Sequence, residues 1–311
     1  MKFISVVSPC YNEQENVEDL YNQVKTVFDL LQGYEYEHIF IDNASTDNTV
    51  NILKEIAQND KNVKIVVNTR NFGHIRSPYH GLLQAKGEAI VYIASDLQDP
   101  PCLIKDFLEK WEKGYKVVLG VKSSSEESFL MFKIRSFYYD LIGKLSDSDI
   151  QLVKNSTGFG IYDKLVIDTI RGINDPYPYI RGLVCDLGFS KTTIEFRQPT
   201  RKRGITKNNF YTLYDNAMLG ITNHTKIPLR LAAMSGFLLG ILSLLLALAY
   251  FVIKLLFWSK IPFGIAPLMI SIFFFASVQL FFIGILGEYI GAIHTRISQR
   301  PIVIEKERIN F

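Results

Sequence analysis

The stretch Phe3-Ile4-Ser5-Val6-Val7-Ser8-Pro9-Cys10-Tyr11-Asn12-Glu13 decides the fold class. A short run rich in β-branched residues stops at Pro9 and gives way to a polar turn. Residues 16–31 then place Val17, Leu20, Val24, Val27, Phe28 and Leu31 close to helical spacing, so a strand feeds a helix. The alternation continues with a strand over 36–41, a helix over 46–58 that starts from a Ser/Thr/Asp cap, a strand over 63–68, a helix over 77–85 and a buried strand over 89–94. Strands alternating with helices predict right-handed crossovers and an α/β fold, a mainly parallel twisted sheet with helices on both faces. Ligands of such sheets bind beyond the carboxyl ends of the strands. The polar clusters fall there, at 9–13, 42–47, 70–74 and 95–99, so four loops are predicted to converge on one cleft.

Further along, two apolar runs occupy 229–257 and 265–293. Each exceeds the roughly 20 residues that cross about 30 Å of hydrocarbon, and both are predicted to span a membrane. Residues 232–253 carry no charge, Arg230 and Lys254 sit where long basic side chains snorkel, and Glu288 lies near the end of the second run. The short connection 258–263 makes the pair a hairpin with both ends on one side. Basic residues before it (Arg201, Lys202, Arg203, Lys207, Lys226, Arg230) and after it (His294, Arg296, Arg300, Lys306, Arg308) place both flanks, and both termini, in the cytoplasm. The segment 1–7 lacks the layout of a signal peptide. The expected organisation is a cytosolic domain over 1–200, a juxtamembrane amphipathic segment over 201–228, two spans, and a cytosolic tail over 294–311. Such a domain at a membrane surface suits one substrate from water and another from lipid.

A net charge of +3 over 311 residues is too small to indicate nucleic-acid binding. Cys10, Cys102 and Cys185 are scattered, without the spacing of a disulfide framework or zinc site, and the five histidines do not cluster as ligands. No G-x-G-x-x-G follows the first strand and no G-x-x-x-x-G-K-[ST] occurs, which removes the usual dinucleotide and P-loop readings. Gly158-Phe159-Gly160 lacks the third glycine and the context for either.

Pro9-Cys10-Tyr11-Asn12-Glu13, Asp42-Asn43-Ala44-Ser45-Thr46-Asp47, Arg70-Asn71-Phe72-Gly73 and Asp96-Leu97-Gln98-Asp99-Pro100-Pro101, in that order, resemble the motifs of inverting family 2 glycosyltransferases of the GT-A fold. The chain looks most like bacterial polyprenyl-phosphate glycosyltransferases related to dolichol-phosphate mannose synthase. Arg201-x-x-Gly204-x-Thr206-Lys207, Pro228-Leu229-Arg230 and Gly287-Glu288-Tyr289-Ile290-Gly291 extend the likeness over essentially the whole chain. The resemblance implies a UDP- or GDP-linked sugar donor, a polyprenyl phosphate acceptor, membrane lipid as a partner and residence in the bacterial inner membrane. It further implies that Glu13 and Asp42 hold base and ribose, with Pro9, Tyr11, Asn12, Asn43, Asp47 and Arg70 around the nucleotide. Asp96 with Gln98, and Asp99 as a further candidate, would carry Mg²⁺ or Mn²⁺ against the diphosphate. For Asp47 a helix cap or turn is an equal alternative.

Several positions depart from that pattern. Ala94 stands where the first acid of Asp-x-Asp is usual, Asn43 where a second acid often follows strand two, and Cys102 where a glutamate is common. Gly158 and Gly160 replace the acid and arginine of Gly-Asp-Phe-Arg, and no general base is assigned there. A phosphate monoester with its second pKa near 6 is largely dianionic at pH 7 and is already a nucleophile. Cationic positioning then matters more than a base, and Lys122, Lys133, Arg135, Arg201, Arg203 and Lys207 are the candidates, Arg201 and Lys207 foremost. Residues 129–145 and 210–221 mix aromatic, aliphatic and basic side chains as an interfacial helix does, with a core helix as the alternative. Gly236-x-x-x-Gly240 and Gly287-x-x-x-Gly291 permit close packing within the hairpin or between copies of a homo-oligomer. Two other readings stay open. A catalytically dead nucleotide-binding scaffold is motivated by Ala94 and Gly158, while a polysaccharide synthase is disfavoured by the lack of a Gln-x-x-Arg-Trp signature.

Overall fold

Alternate side chains of the first strand enter different cores, Ile4 and Val6 on one face and Val7 on the other. That two-sided burial is why the segment reads as a nearly continuous apolar run. The computed structural model describes residues 1–123, 153, 155–173, 175–176, 178–199, 218, 227–256, 264–298 and 300–311. In chain order the described elements are β1 (Lys2–Cys10), α1 (Val17–Leu30), β2 (Tyr34–Asp42), α2 (Thr49–Asn59), β3 (Val63–Asn68), α3 (Gly73–Gln84), β4 (Ala89–Tyr92) and α4 (Ile104–Glu112). There follow β5 (Val117–Lys122), β6 (Ser156–Asp163), α5 (Lys164–Ile173), α6 (Ile180–Asp186), β7 (Lys191–Phe196), α7 (Ile227–Leu256), α8 (Ile265–Ile297) and β8 (Glu305–Ile309).

The sheet has the order β7-β5-β6-β4-β1-β2-β3-β8. Its centre is the expected parallel unit: β1 lies between β4 and β2, and β2 pairs with β3. The flanks are mixed, because β6 runs antiparallel to both β4 and β5 and β8 runs antiparallel to β3. Helices α1, α2 and α4 supply Val17, Leu20, Leu53 and Phe107 to one core, and α3, α5 and α6 supply Tyr79, Leu82, Val166 and Val184 to the other. Helix α3 begins earlier than the sequence pattern suggests and carries Pro78 inside it.

Strand β8 belongs to a segment that the sequence reading leaves as a tail. Thr69 donates its N–H and hydroxyl to the Ile304 carbonyl at 2.9 and 3.1 Å, tying the chain after α8 to the end of β3. Glu305 accepts from Arg308 and meets His80 of α3 at 2.6 Å, so the strand is fastened on its face as well as along its edge.

Helices α7 and α8 run for 30 and 33 residues and contact each other. Many of their large apolar side chains are exposed, among them Phe237, Leu245, Phe274 and Phe281. The sequence reading expects two spans. Among the described residues one stretch, Phe274–Thr295, is long and apolar enough to cross a membrane, and Ile227–Ser243 is a shorter apolar helix.

Candidate active site

The parallel centre of the sheet brings the carboxyl ends of β1, β2, β3 and β4 side by side. The loops after β1 and β2 are stitched together. The Asn12 N–H donates to Ser45 Oγ at 2.8 Å, the Thr46 N–H to Asn12 Oδ1 at 2.8 Å, and the Glu13 N–H to Thr49 Oγ1 at 2.9 Å. Asn12 and Ala44 both hold left-handed backbone, with φ of 55° and 61°, and Leu97 in the loop after β4 does so at 58°. Positive φ outside glycine is uncommon and is maintained only where surrounding structure overdetermines it. Here it marks three of the four loops that the sequence assigned to a ligand.

Asn43 joins the third loop to the second. Its Nδ2 donates to Asn71 Oδ1 at 2.9 Å and the Gly73 carbonyl at 3.2 Å, while its Oδ1 accepts from the Phe72 N–H at 2.8 Å and Asn68 Nδ2 at 3.2 Å. A carboxylate has no N–H to donate, so an aspartate could not make the first two bonds. Buried Asn43 therefore fixes the loop that carries exposed Arg70, which stacks 4.0 Å over the Phe72 ring. The Asp47 carboxylate accepts from the Thr49 N–H at 3.0 Å and the Gln14 N–H at 3.3 Å, which is the turn-and-cap role.

Asp42 is fully buried and its oxygens take the Ser45 N–H at 2.9 Å and the Ser45 hydroxyl. Burial raises its pKa, and the Ser45 bonds oppose that rise. In this arrangement both carboxylate oxygens are engaged by Ser45. Half-buried Glu13 accepts from Asn16 Nδ2 at 2.6 Å, with half-buried Tyr11 and Pro9 beside it. The Cys10 thiol beneath is pushed up by burial and by Asp42, which leaves it unreactive.

The loop after β4 is less closed. Asp96 is half-buried and accepts the Gln98 N–H at 3.2 Å. Asp99, which the sequence left in a minor role, is buried, and its Oδ1 has no hydrogen-bond partner among the described residues; neither has the Ser95 hydroxyl. Burial and the charge of Asp96 push the Asp99 pKa up to about 7, against the pull of the Ala94 N–H and Lys122. Lys122 is thus brought to the site. Arg135, Arg201 and Lys207, with Lys133 and Arg203, lie outside the described residues, as do the segments 129–145 and, apart from Met218, 210–221.

A cleft of about 80 Å³, open to solvent, runs between the start of α3, the ends of β4 and β6, and α6, and Tyr92 in its wall lies within electrostatic reach of Asp96. Tyr92, Tyr162, Tyr179, Gly158, His74 and Arg181 line it. Arg181 Nη1 donates to the Ser156 carbonyl at 3.3 Å, and Tyr162 donates its hydroxyl to the Gly158 carbonyl at 2.6 Å. The two glycines have local reasons. Gly158 adopts φ 94°, and a Cβ on Gly160 would stand 2.2 Å from the Val118 carbonyl oxygen of β5, so an arginine cannot replace it on this backbone. The sequence reading missed Arg181, which sits in a short helix without a motif.

Residues 5–168 match the family described as Glycosyl transferase family 2. The chain is 34% identical, over 96% of its own length and 92% of the relative's, to YkcC of Bacillus subtilis (strain 168), described as an uncharacterized glycosyltransferase. It is 33% identical to the SfII prophage-derived bactoprenol glucosyl transferase of Shigella flexneri, over 98% and 97% of the two chains. The bactoprenol glucosyl transferase of Shigella phage SfV is 34% identical over 97% and 98%. The chain belongs to glycosyl transferase family 2 and is a glycosyltransferase.

Proposed function

We propose that this enzyme transfers a hexose-type sugar from a nucleotide-sugar donor to polyprenyl (undecaprenyl) phosphate at the cytoplasmic face of the bacterial inner membrane, with inversion at the anomeric carbon. The lipid-linked sugar would serve cell-envelope glycan modification. One observation carries the reading. Likeness to relatives named for bactoprenol runs over 98% of the chain, through α7 and α8 and not only through the soluble sheet. On this reading α7 and α8 form the membrane hairpin, and their exposed apolar side chains face lipid.

The chemistry asks for little beyond positioning. An oxygen of the acceptor phosphate forms a bond to the anomeric carbon as the bond from that carbon to the donor's diphosphate oxygen breaks. The electron pair leaves with the nucleoside diphosphate. The dianionic acceptor needs no proton removed, which suits a chain with Gly158 in place of an acid. The loops after β1, β2 and β3 hold the nucleotide, Asp96 stands at the diphosphate, and Lys122 offsets the charge gathered there. The donor set fits a hard divalent cation: Asp96 and Gln98 offer oxygens at the loop, and buried Asp99 behind them has one oxygen unpartnered among the described residues. Mg²⁺ or Mn²⁺ there supplies neutralisation of the leaving diphosphate.

The test is incubation of the purified full chain with undecaprenyl phosphate, Mn²⁺ and a panel of UDP- and GDP-sugars. Formation of a lipid-linked hexose from one donor is expected. Binding of a donor without turnover across the panel would replace this reading with that of a scaffold.

A further inference from the structure

We infer that the cleft beside Tyr92 seats the phosphate head and first isoprene unit of the acceptor, with Arg181 as the residue that holds the phosphate. This assignment rests on the polyprenyl-phosphate reading above. Placement is the first ground. Hydrogen bonds have closed the loops after β1, β2 and β3 around one another, and the cleft begins at the last of these, at His74 and Ile75, and extends past Tyr92 toward β6 and α6. A group seated in the cleft therefore adjoins the loops that hold the donor and has room on the β6 and α6 side to approach the anomeric carbon.

Charge is the second ground. Among the described residues that line the cleft, Arg181 carries the only permanent positive charge. A guanidinium matches phosphate geometry with paired donors. Its bond to the Ser156 carbonyl holds the side chain against β6. A Cβ at Gly158 would point to the Tyr162 hydroxyl and the Tyr92 ring, each 3.9 Å away, so an acid at that position would stand in the cleft's wall near the guanidinium. Glycine leaves Arg181 without that counter-charge. The wall then favours an anionic acceptor over a neutral hydroxyl that would need a base. Asp96 and Asp99 are within electrostatic reach of Tyr92 in the cleft wall, and Lys122 is within reach of Asp99.

The third ground is the other wall. Ile75, Pro78, Leu82 and Ile180 make it apolar. A cationic rim over an aliphatic wall fits a prenyl phosphate better than a free sugar or inorganic phosphate. Tyr92 and Tyr162, whose phenols burial holds above the ordinary tyrosine value, stay protonated at every physiological pH.

The experiment compares wild type, Arg181→Gln and Arg181→Lys in the full-length, detergent-solubilised enzyme. Arg181→Gln should raise KM for undecaprenyl phosphate by about ten- to a hundredfold, the loss expected for a hydrogen bond to a charged group. Donor KM and melting temperature should hold, and Arg181→Lys should fall between. An unchanged lipid KM, or a donor KM that rises in step, overturns the assignment. Calorimetric titration with farnesyl phosphate, with farnesol and inorganic phosphate as separate arms, distinguishes the two readings. If wild type transfers no sugar but binds farnesyl phosphate in an Arg181-dependent way, the reaction is wrong and the cleft stands. If wild type transfers sugar yet farnesyl phosphate binds equally well to Arg181→Gln, the cleft falls and the reaction stands. Loss of both activity and binding in wild type removes both.

Discussion

Along the carboxyl edge of the sheet, the β1–β3 side and the β4–β6 side are built differently. On the first, Asn12, Asn43, Asp42, Asp47 and Ser45 engage their polar atoms within and between the loops, which are locked before any ligand arrives. On the second, a buried carboxylate oxygen and a buried hydroxyl lack partners among the described residues, and Gly158 and Arg181 border open space. Buried polar atoms are nearly always satisfied, and the first side has unpartnered atoms of its own among the described residues, His38 Nδ1 and Asn68 Oδ1, so the two sides differ in the open space beside them rather than in orphaned atoms. Preorganised loops suit a donor that must be held in one pose. The open half suits the reacting groups.

The contrast can be broken most severely at Asp96. Asp96→Asn should lower transfer by about a hundred- to a thousandfold with the fold intact, read by labelled-sugar incorporation into lipid extracts; activity within about threefold of wild type would remove this carboxylate from the reaction. Asn43→Asp attacks the locked half instead. Losing two donors and placing a charge against the Gly73 carbonyl should cost about 3 kcal/mol in chemical denaturation and raise donor KM, and an undamaged variant would show that the loop does not depend on the amide.

His38 lies under the same half, its Nε2 2.9 Å from Ser8 Oγ, and burial lowers its pKa from 6.5 to about 3. The unfolded chain therefore binds the proton first, and stability present above pH 6.5 is lost as pH falls toward 3. By pH 5 the loss should be about 2 kcal/mol, and His38→Gln should flatten that acid limb; a limb of unchanged slope would assign it to other groups. The smallest effect is expected at Ala44. Ala44→Gly relieves a left-handed alanine and should stabilise by up to about 1 kcal/mol, so a lower melting temperature would mean that the methyl group is packed rather than strained.

Local chemistry made the central unit legible. The period-2 and period-3.6 patterns locate β1 to β4 and α1 to α3, and the polar residues at strand ends mark where their loops meet. The sequence also carries the turn role of Asp47, open there as an alternative. Pairing order was not legible, because β6 between β4 and β5 depends on contacts between residues far apart in the chain. The donor role of Asn43 hides behind a position where an acid is usual. Arg181 was missed because its importance comes from the cleft around it, and a seven-residue helix has too little periodicity to draw attention. Strand β8, Glu-Lys-Glu-Arg-Ile, is so charged that it reads as a solvated tail; edge strands carry such residues to resist pairing with other molecules.

That last strand also sets an order of events during biosynthesis. Residues 305–309 leave the ribosome only after both long apolar helices, yet they cover the outer edge of β3 and brace the segment beside Thr69. Until then β3 presents bare backbone along that edge. Completion of the sheet therefore waits until both long helices have been made, and a stall before residues 305–309 leaves an aggregation-prone ribbon exposed.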